Sequence, residues 1–184
     1  MNALTILHLA PLFAMLAWAS VTDLRERRIR NWLTLTMIIT GLAQSFTPAR
    51  IVSPGASALG VLVGFSLPFL LFALGAIGAG DVKLLTGVGA WLGPVGILSV
   101  FVIEAVIGMI IVLAQALWQG RLAALLHNSV LLTINLAHFK EVGIEHVTAT
   151  GRASRSIDKP LPYAVPVLLA VAALVVKAYV MQGR

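Results

Sequence analysis

The sequence predicts an all-α, polytopic membrane protein with about six transmembrane helices. Three observations carry that prediction. Apolar residues make up 59% of the 184 residues and charged residues 11%, far from the roughly 45–50% and 25% of soluble domains. Several apolar runs reach the ~20 residues that a helix needs to cross a bilayer. The Lys and Arg residues are bunched between those runs, the pattern that marks cytoplasmic loops.

Taken in order, Ala3 to Thr22 is the first helix, ending at Asp23. No Lys or Arg precedes it, whereas Arg25, Arg27, Arg28 and Arg30 follow it. A secretory signal carries its positive charge first, so this segment is expected to be a retained helix with its N-terminus outside. Trp32 to Phe46 is the second helix, with Trp32 as an interfacial anchor. Pro48 and Pro54 mark an outer turn, and Ala56 to Ile77 is the third helix, with a kink expected near Pro68. Leu84 to Leu92 predicts a short fourth helix, roughly 14 Å long at 1.5 Å per residue, running into the Gly93-Pro94-Val95-Gly96 turn. Ile97 to Trp118 is the fifth helix and Leu161 to Val180 the sixth. Between them Arg121 to Phe139, with His127, Asn128, Asn135 and His138 among its apolar residues, is too polar to span. It is expected to be an interfacial amphipathic helix.

The whole chain, 1–184, is thus expected to form one membrane-embedded domain with cytoplasmic loops at about 24–31, 78–83 and 119–160. That topology puts ten of the thirteen Lys and Arg inside, leaving Arg50, Lys177 and Arg184 outside. It also brings Asp23 and Asp81 to the same, cytoplasmic, face. The net charge of +6 follows from this bias and from anionic lipid. No basic patch interleaved with aromatics points to nucleic acid. The absence of cysteine excludes disulfides, thiolate nucleophiles and Cys-based zinc sites. His8, His127, His138 and His146 lack metal-ligand spacing on a shared face, so no metal or other cofactor is expected.

The chemistry concentrates on Gly78-Ala79-Gly80-Asp81-Val82-Lys83-Leu84-Leu85, which interrupts two apolar runs. An Asp costs about 2.5–3.5 kcal/mol at the centre of a membrane helix and less near the interface. Flanking Gly78 and Gly80 lack side chains and let a neighbouring backbone or a substrate strand approach. The other acid in a similar setting is Asp23. Two carboxylates brought close together share a proton. The ionised member can then take a proton from water while the protonated member polarises a carbonyl, which is peptide hydrolysis by general acid–base catalysis. Each Asp also has a plainer reading: Asp81 as a helix N-cap, Asp23 as a surface partner of Arg25 or Arg27. Lys83 either biases the pair's protonation, holds a carbonyl or, as is favoured here, snorkels to the interface. Glu104, midway along the fifth helix, pairs within the bundle or faces a hydrated cavity.

Ser20-Val21-Thr22-Asp23-Leu24-Arg25-Glu26-Arg27-Arg28-Ile29-Arg30-Asn31, followed downstream by Gly78-Ala79-Gly80-Asp81-Val82-Lys83-Leu84-Leu85, resembles the type IV prepilin peptidase family. These are membrane aspartic proteases of the Gly-x-Gly-Asp type. The resemblance implies that Asp23 and Asp81 are the catalytic pair, with Gly78, Gly80 and Lys83 in support. Leu161-Pro162-Tyr163 is similar to a family Pro-Tyr near the last helix. Arg30 stands where the family has Pro before Asn31, and Ala164 where Gly often follows the Tyr. The chain resembles the short, peptidase-only branch associated with tight-adherence (Flp) pilus assembly, without an N-methyltransferase domain. Methylation of the new N-terminus is then not expected from it.

The function implied is an endopeptidase of the bacterial inner membrane that removes the leader of a type IV or Flp-type prepilin at the cytoplasmic face. Its partners would be the prepilin's leader and apolar helix, membrane lipids and the pilus assembly machinery. The rival from another class is a small transporter or channel subunit, with Asp23, Asp81 and Glu104 as a proton or cation path. Depth separates the two: a path needs acids spread through the membrane.

Overall fold

The computed structural model describes residues 3–74, 76–120, 123, 127 and 162–182. Among these residues the chain is all helical, in five elements: α1 (Ala3–Glu26), α2 (Asn31–Gln44), α3 (Pro54–Ala73), α4 (Ala79–Trp118) and α5 (Ala164–Gln182). The expected interfacial helix Arg121–Phe139 lies, apart from Ala123 and His127, outside the described residues.

Helix α4 is the centre of the bundle, packing against α2, α3 and α5, while α1 lies mainly along α5. It contains both the predicted fourth and fifth helices. Its backbone leaves helical geometry at Gly93, where φ is 71°, a left-handed conformation that glycine adopts without steric cost. Pro94 follows and cannot donate to the preceding turn. The two arms, 79–92 and 94–118, fold back on each other. Gly64 of α3 sits against Leu85 of the first arm and Ile97 of the second. Asp81 and Glu104 are within electrostatic reach of each other, although a straight helix would hold them about 35 Å apart.

The arms pack against α3 through glycine. At Gly60 and Gly89 the backbones meet so closely that a Cβ on Gly60 would lie 2.0 Å from the Gly89 carbonyl oxygen. Small residues permit this approach between membrane helices, where lipid supplies no hydrophobic drive for association. Ser57 Oγ adds to the contact by donating to Ala90 O at 2.6 Å, and Trp91 Nε1 ties the first arm to α2 by donating to Met37 O at 3.0 Å. The core is then filled by Leu9, Leu12 and Leu16 of α1, Met37 of α2, Leu84, Leu85, Val88 and Val100 of α4, and Val167 and Val171 of α5.

Among the described residues four helices contain stretches long and apolar enough to cross a membrane: Leu7–Glu26, Pro54–Ala73, Ala79–Trp118 and Ala164–Met181. The protein is a membrane protein. At 14 residues, α2 extends only about 21 Å. The ends of α1 and α3 also differ from expectation. Helix α1 continues to Glu26, so Asp23 lies inside its last turn, and α3 begins at Pro54 on a Ser53 N-cap and stops at Ala73.

Candidate active site

Asp23 and Asp81 arrive at one place from opposite ends of the chain's first half. Asp23 is in the last turn of α1, 8% exposed, and its Oδ2 accepts a hydrogen bond from the Ala164 N–H at 3.1 Å. That N–H opens α5 and has no acceptor within its own helix, so the carboxylate satisfies it. The alternative role of Asp23, a surface pair with arginine, gives way to this buried bond across 141 residues.

Asp81 stands in the first turn of α4, and its Oδ2 accepts the Gly78 N–H at 2.9 Å. Gly78, not Asp81, is the N-cap residue. A negative side chain in the first turn is favoured by the helix dipole. Each carboxylate is therefore anchored through one oxygen by a backbone N–H. Among the described residues the other oxygen of each takes no hydrogen bond. The two are within electrostatic reach of one another.

The supporting residues divide. A Cβ on Gly78 would come 3.1 Å from Asp81 Oδ2, whereas one on Gly80 would make ordinary contact with Ile29 at 3.5 Å. A side chain at Gly78 would thus press on the Asp81 anchor, while nothing among the described residues requires Gly80 to lack one. Gly78→Ala is expected to displace the Asp81 carboxylate and lower turnover about tenfold. Gly80→Ala should leave the thermal midpoint in detergent unchanged. A loss of cleavage at that unchanged midpoint would place Gly80 against substrate, as the glycine spacing suggests. Lys83 does not merely snorkel, because its Nζ donates to Asn31 Oδ1 at 3.0 Å and ties α4 to the first residue of α2. Arg30, beside Asn31, pairs across the non-helical link with Glu26, the last residue of α1, at 3.0 Å.

A third acidic group joins the site. Glu104 is 3% exposed and accepts the Tyr163 hydroxyl at Oε1. Asp81 stands twelve residues before Gly93 and Glu104 eleven after it, so the hairpin brings both to one level. Tyr163 and Ala164 are consecutive, one bound by Glu104 and the other by Asp23. The entry to α5 is therefore clasped between α1 and the second arm of α4. The apolar setting singled out Glu104, and the family resemblance singled out Tyr163, but neither carried a signal that they meet. Among the described residues no group of three or more His, Cys, Asp or Glu is placed to hold a metal ion.

The sequence profile of the type IV leader peptidase family matches residues 10–113, a stretch that holds both aspartates and the α4 hairpin. The chain is similar to the preflagellin peptidase of Methanococcus voltae, 36% identical over 39% of this chain and 32% of that protein. The preflagellin peptidase of Methanocaldococcus jannaschii is 38% identical over the same shares, 39% and 32%. The prepilin leader peptidase/N-methyltransferase of Pectobacterium carotovorum subsp. carotovorum is 29% identical over 59% of this chain and 40% of that protein. The chain spans about a third of the length of the curated relatives it matches. No solved structure matches it significantly. With the match covering more than half of its 184 residues, the chain belongs to the type IV leader peptidase family.

Proposed function

We propose that this protein is a membrane-embedded aspartic endopeptidase that cleaves the leader from a type IV or Flp-type prepilin, with Asp23 and Asp81 as its catalytic pair. The observation that carries this reading is the paired anchoring of the two carboxylates. Each uses one oxygen on a backbone N–H and, among the described residues, keeps the other open, within electrostatic reach of its partner. One carboxylate, ionised, takes a proton from the attacking water; the other, protonated, donates to the scissile carbonyl. On collapse of the tetrahedral intermediate the first gives its proton to the departing amine, while the second takes back a proton from a hydroxyl of the intermediate, which restores the pair. The names of the relatives, prepilin and preflagellin peptidases, support the substrate class.

In this reading residues 1–184 act as one domain with six passes through the bacterial inner membrane. Helix α2 and the first arm of α4 are the short passes, and the loops at about 24–31, 78–83 and 119–160 face the cytoplasm. Gly78, Gly80 and Lys83 support the pair. The substrate's apolar helix lies against the bundle, with lipids and the pilus assembly machinery as further partners. The second arm of α4 continues about 20 Å past Glu104 with Val106, Met109, Ile110 and Leu117 exposed. Apolar surface on both sides of that level supports a catalytic pair recessed from the membrane surface and reached from the cytoplasmic side. The transporter alternative loses its footing here, because Glu104 sits level with Asp81 and not at a separate depth.

Co-expression with a prepilin should lower the prepilin's mass by that of its leader, read by intact mass spectrometry. An unchanged mass at normal enzyme levels counts against the proposal. Cleavage by the purified protein is expected to persist in strong chelator, since the chemistry assigned to the two aspartates needs no metal. Loss of activity that returns on adding zinc would replace the aspartic mechanism with a metal-dependent one.

A further inference from the structure

A cavity of about 300 Å³ has walls from the end of α3, the second arm of α4 and the start of α5, and Glu104, which is within electrostatic reach of Asp81, lies on its lining. Leu71, Ile77, Phe101 and Pro166 make it apolar, Gly108 leaves open space on one wall, and Glu104 and Tyr163 supply its polar groups. Glu104 is 3% exposed, and its Oε2 has no hydrogen-bond partner among the described residues. A buried polar atom without a partner is costly, and the Glu104 side chain lines a space of the size that ligand pockets begin at.

The position of the cavity narrows what can fill it. Tyr163 on its wall is joined directly to Ala164, which holds Asp23, and Glu104 is within electrostatic reach of Asp81. A peptide with its scissile bond at the aspartates therefore passes the cavity within a few residues. A helical segment has already used its N–H groups internally. An extended one presents them, with side chains alternating at about 3.3 Å per residue. The apolar walls suit the membrane-embedded side of the substrate and not a basic leader, whose charge would be stripped of water there.

We propose that this cavity is a substrate subsite. It receives one bulky apolar side chain from the extended segment next to the scissile bond, on the substrate's apolar side, while Glu104 Oε2 accepts a backbone N–H of that same segment. The hydroxyl of Tyr163 holds the Glu104 carboxylate in place through its other oxygen. The subsite rests on the peptidase reading and adds to it a residue and a wall that select the substrate.

The test uses the full-length protein in detergent and synthetic prepilin peptides. Each of the four apolar-side residues nearest the cut is varied in turn between leucine and alanine. Wild type is expected to favour leucine over alanine at one of these positions by about tenfold or more in kcat/KM. Gly108→Leu, which fills the open wall, should reverse that preference at the same position and at no other. At a neighbouring residue, replacing the peptide N–H by an ester oxygen should cost wild type about tenfold and cost Glu104→Met nothing further. A merely structural Glu104 would instead lower turnover of amide and ester peptides alike. Wild-type cleavage with no switch in Gly108→Leu, or equal losses on every peptide, overturns the subsite alone. Absence of wild-type cleavage of any peptide overturns the peptidase reading and the subsite with it.

Discussion

Gly89→Ala is expected to push α3 away from α4 and lower the stability of the bundle by about 1–3 kcal/mol, the usual cost of overpacking a filled interior. The new Cβ would lie 2.1 Å from the Gly60 carbonyl oxygen. That obstacle is backbone, which cannot swing aside as a side chain does. Gly60→Ala meets the reciprocal contact and should cost a similar amount. Once either substitution has parted the helices, the second has less left to displace, so the double variant should fall short of the sum. Ser57 and Thr86, which donate to Ala90 O and Gly64 O across the same seam, would lose those bonds as the helices separate. Gly55→Ala is the control, since a Cβ there meets nothing within 4 Å. Thermal unfolding in detergent checks the ranking; equal midpoints for Gly55→Ala and Gly89→Ala would show that the seam is softer than its geometry.

The parts of this molecule that were legible in the sequence are those where one residue type is costly in its setting. Asp23 and Asp81 declared themselves because a carboxylate between apolar runs needs a reason. The helices followed from the length of those runs, and the break at Gly93-Pro94 followed from the conformations the two residues allow and forbid. What stayed hidden depends on how helices sit against one another. Glu104 read as the middle of a separate span, whereas the fold at Gly93 sets it level with Asp81 and beside Tyr163. Lys83 read as a snorkelling side chain until Asn31, 52 residues away, proved to be its acceptor. Gly60 and Gly89 were two glycines among many, and only their contact distinguishes them. The anchor of Asp23 could not be read at all, because the Ala164 N–H is a backbone group and carries no mark in sequence.

The paired anchors lead to the largest effect expected on catalysis. Asp23→Asn and Asp81→Asn should each reduce cleavage to background, a loss of about 10³-fold or more. The amide keeps the size of the carboxylate, and its oxygen can still accept the Ala164 or Gly78 N–H, so α5 and the start of α4 should hold their places. What it cannot do is ionise or deliver a carboxylic proton. In the proposed mechanism the two carboxylates act as one acid–base unit, so losing either leaves nothing for the other to amplify. The double variant should be no slower than the single ones.

The most direct measurement is therefore single-turnover cleavage of one purified prepilin by wild type, Asp23→Asn, Asp81→Asn and the double variant. Each would be matched for protein amount and thermal midpoint, with leader release followed by intact mass. The account predicts rapid release by wild type and the same background rate for all three variants. Substantial release by either single variant at an unchanged midpoint, or a double variant slower than both by the product of their losses, would contradict a shared catalytic pair.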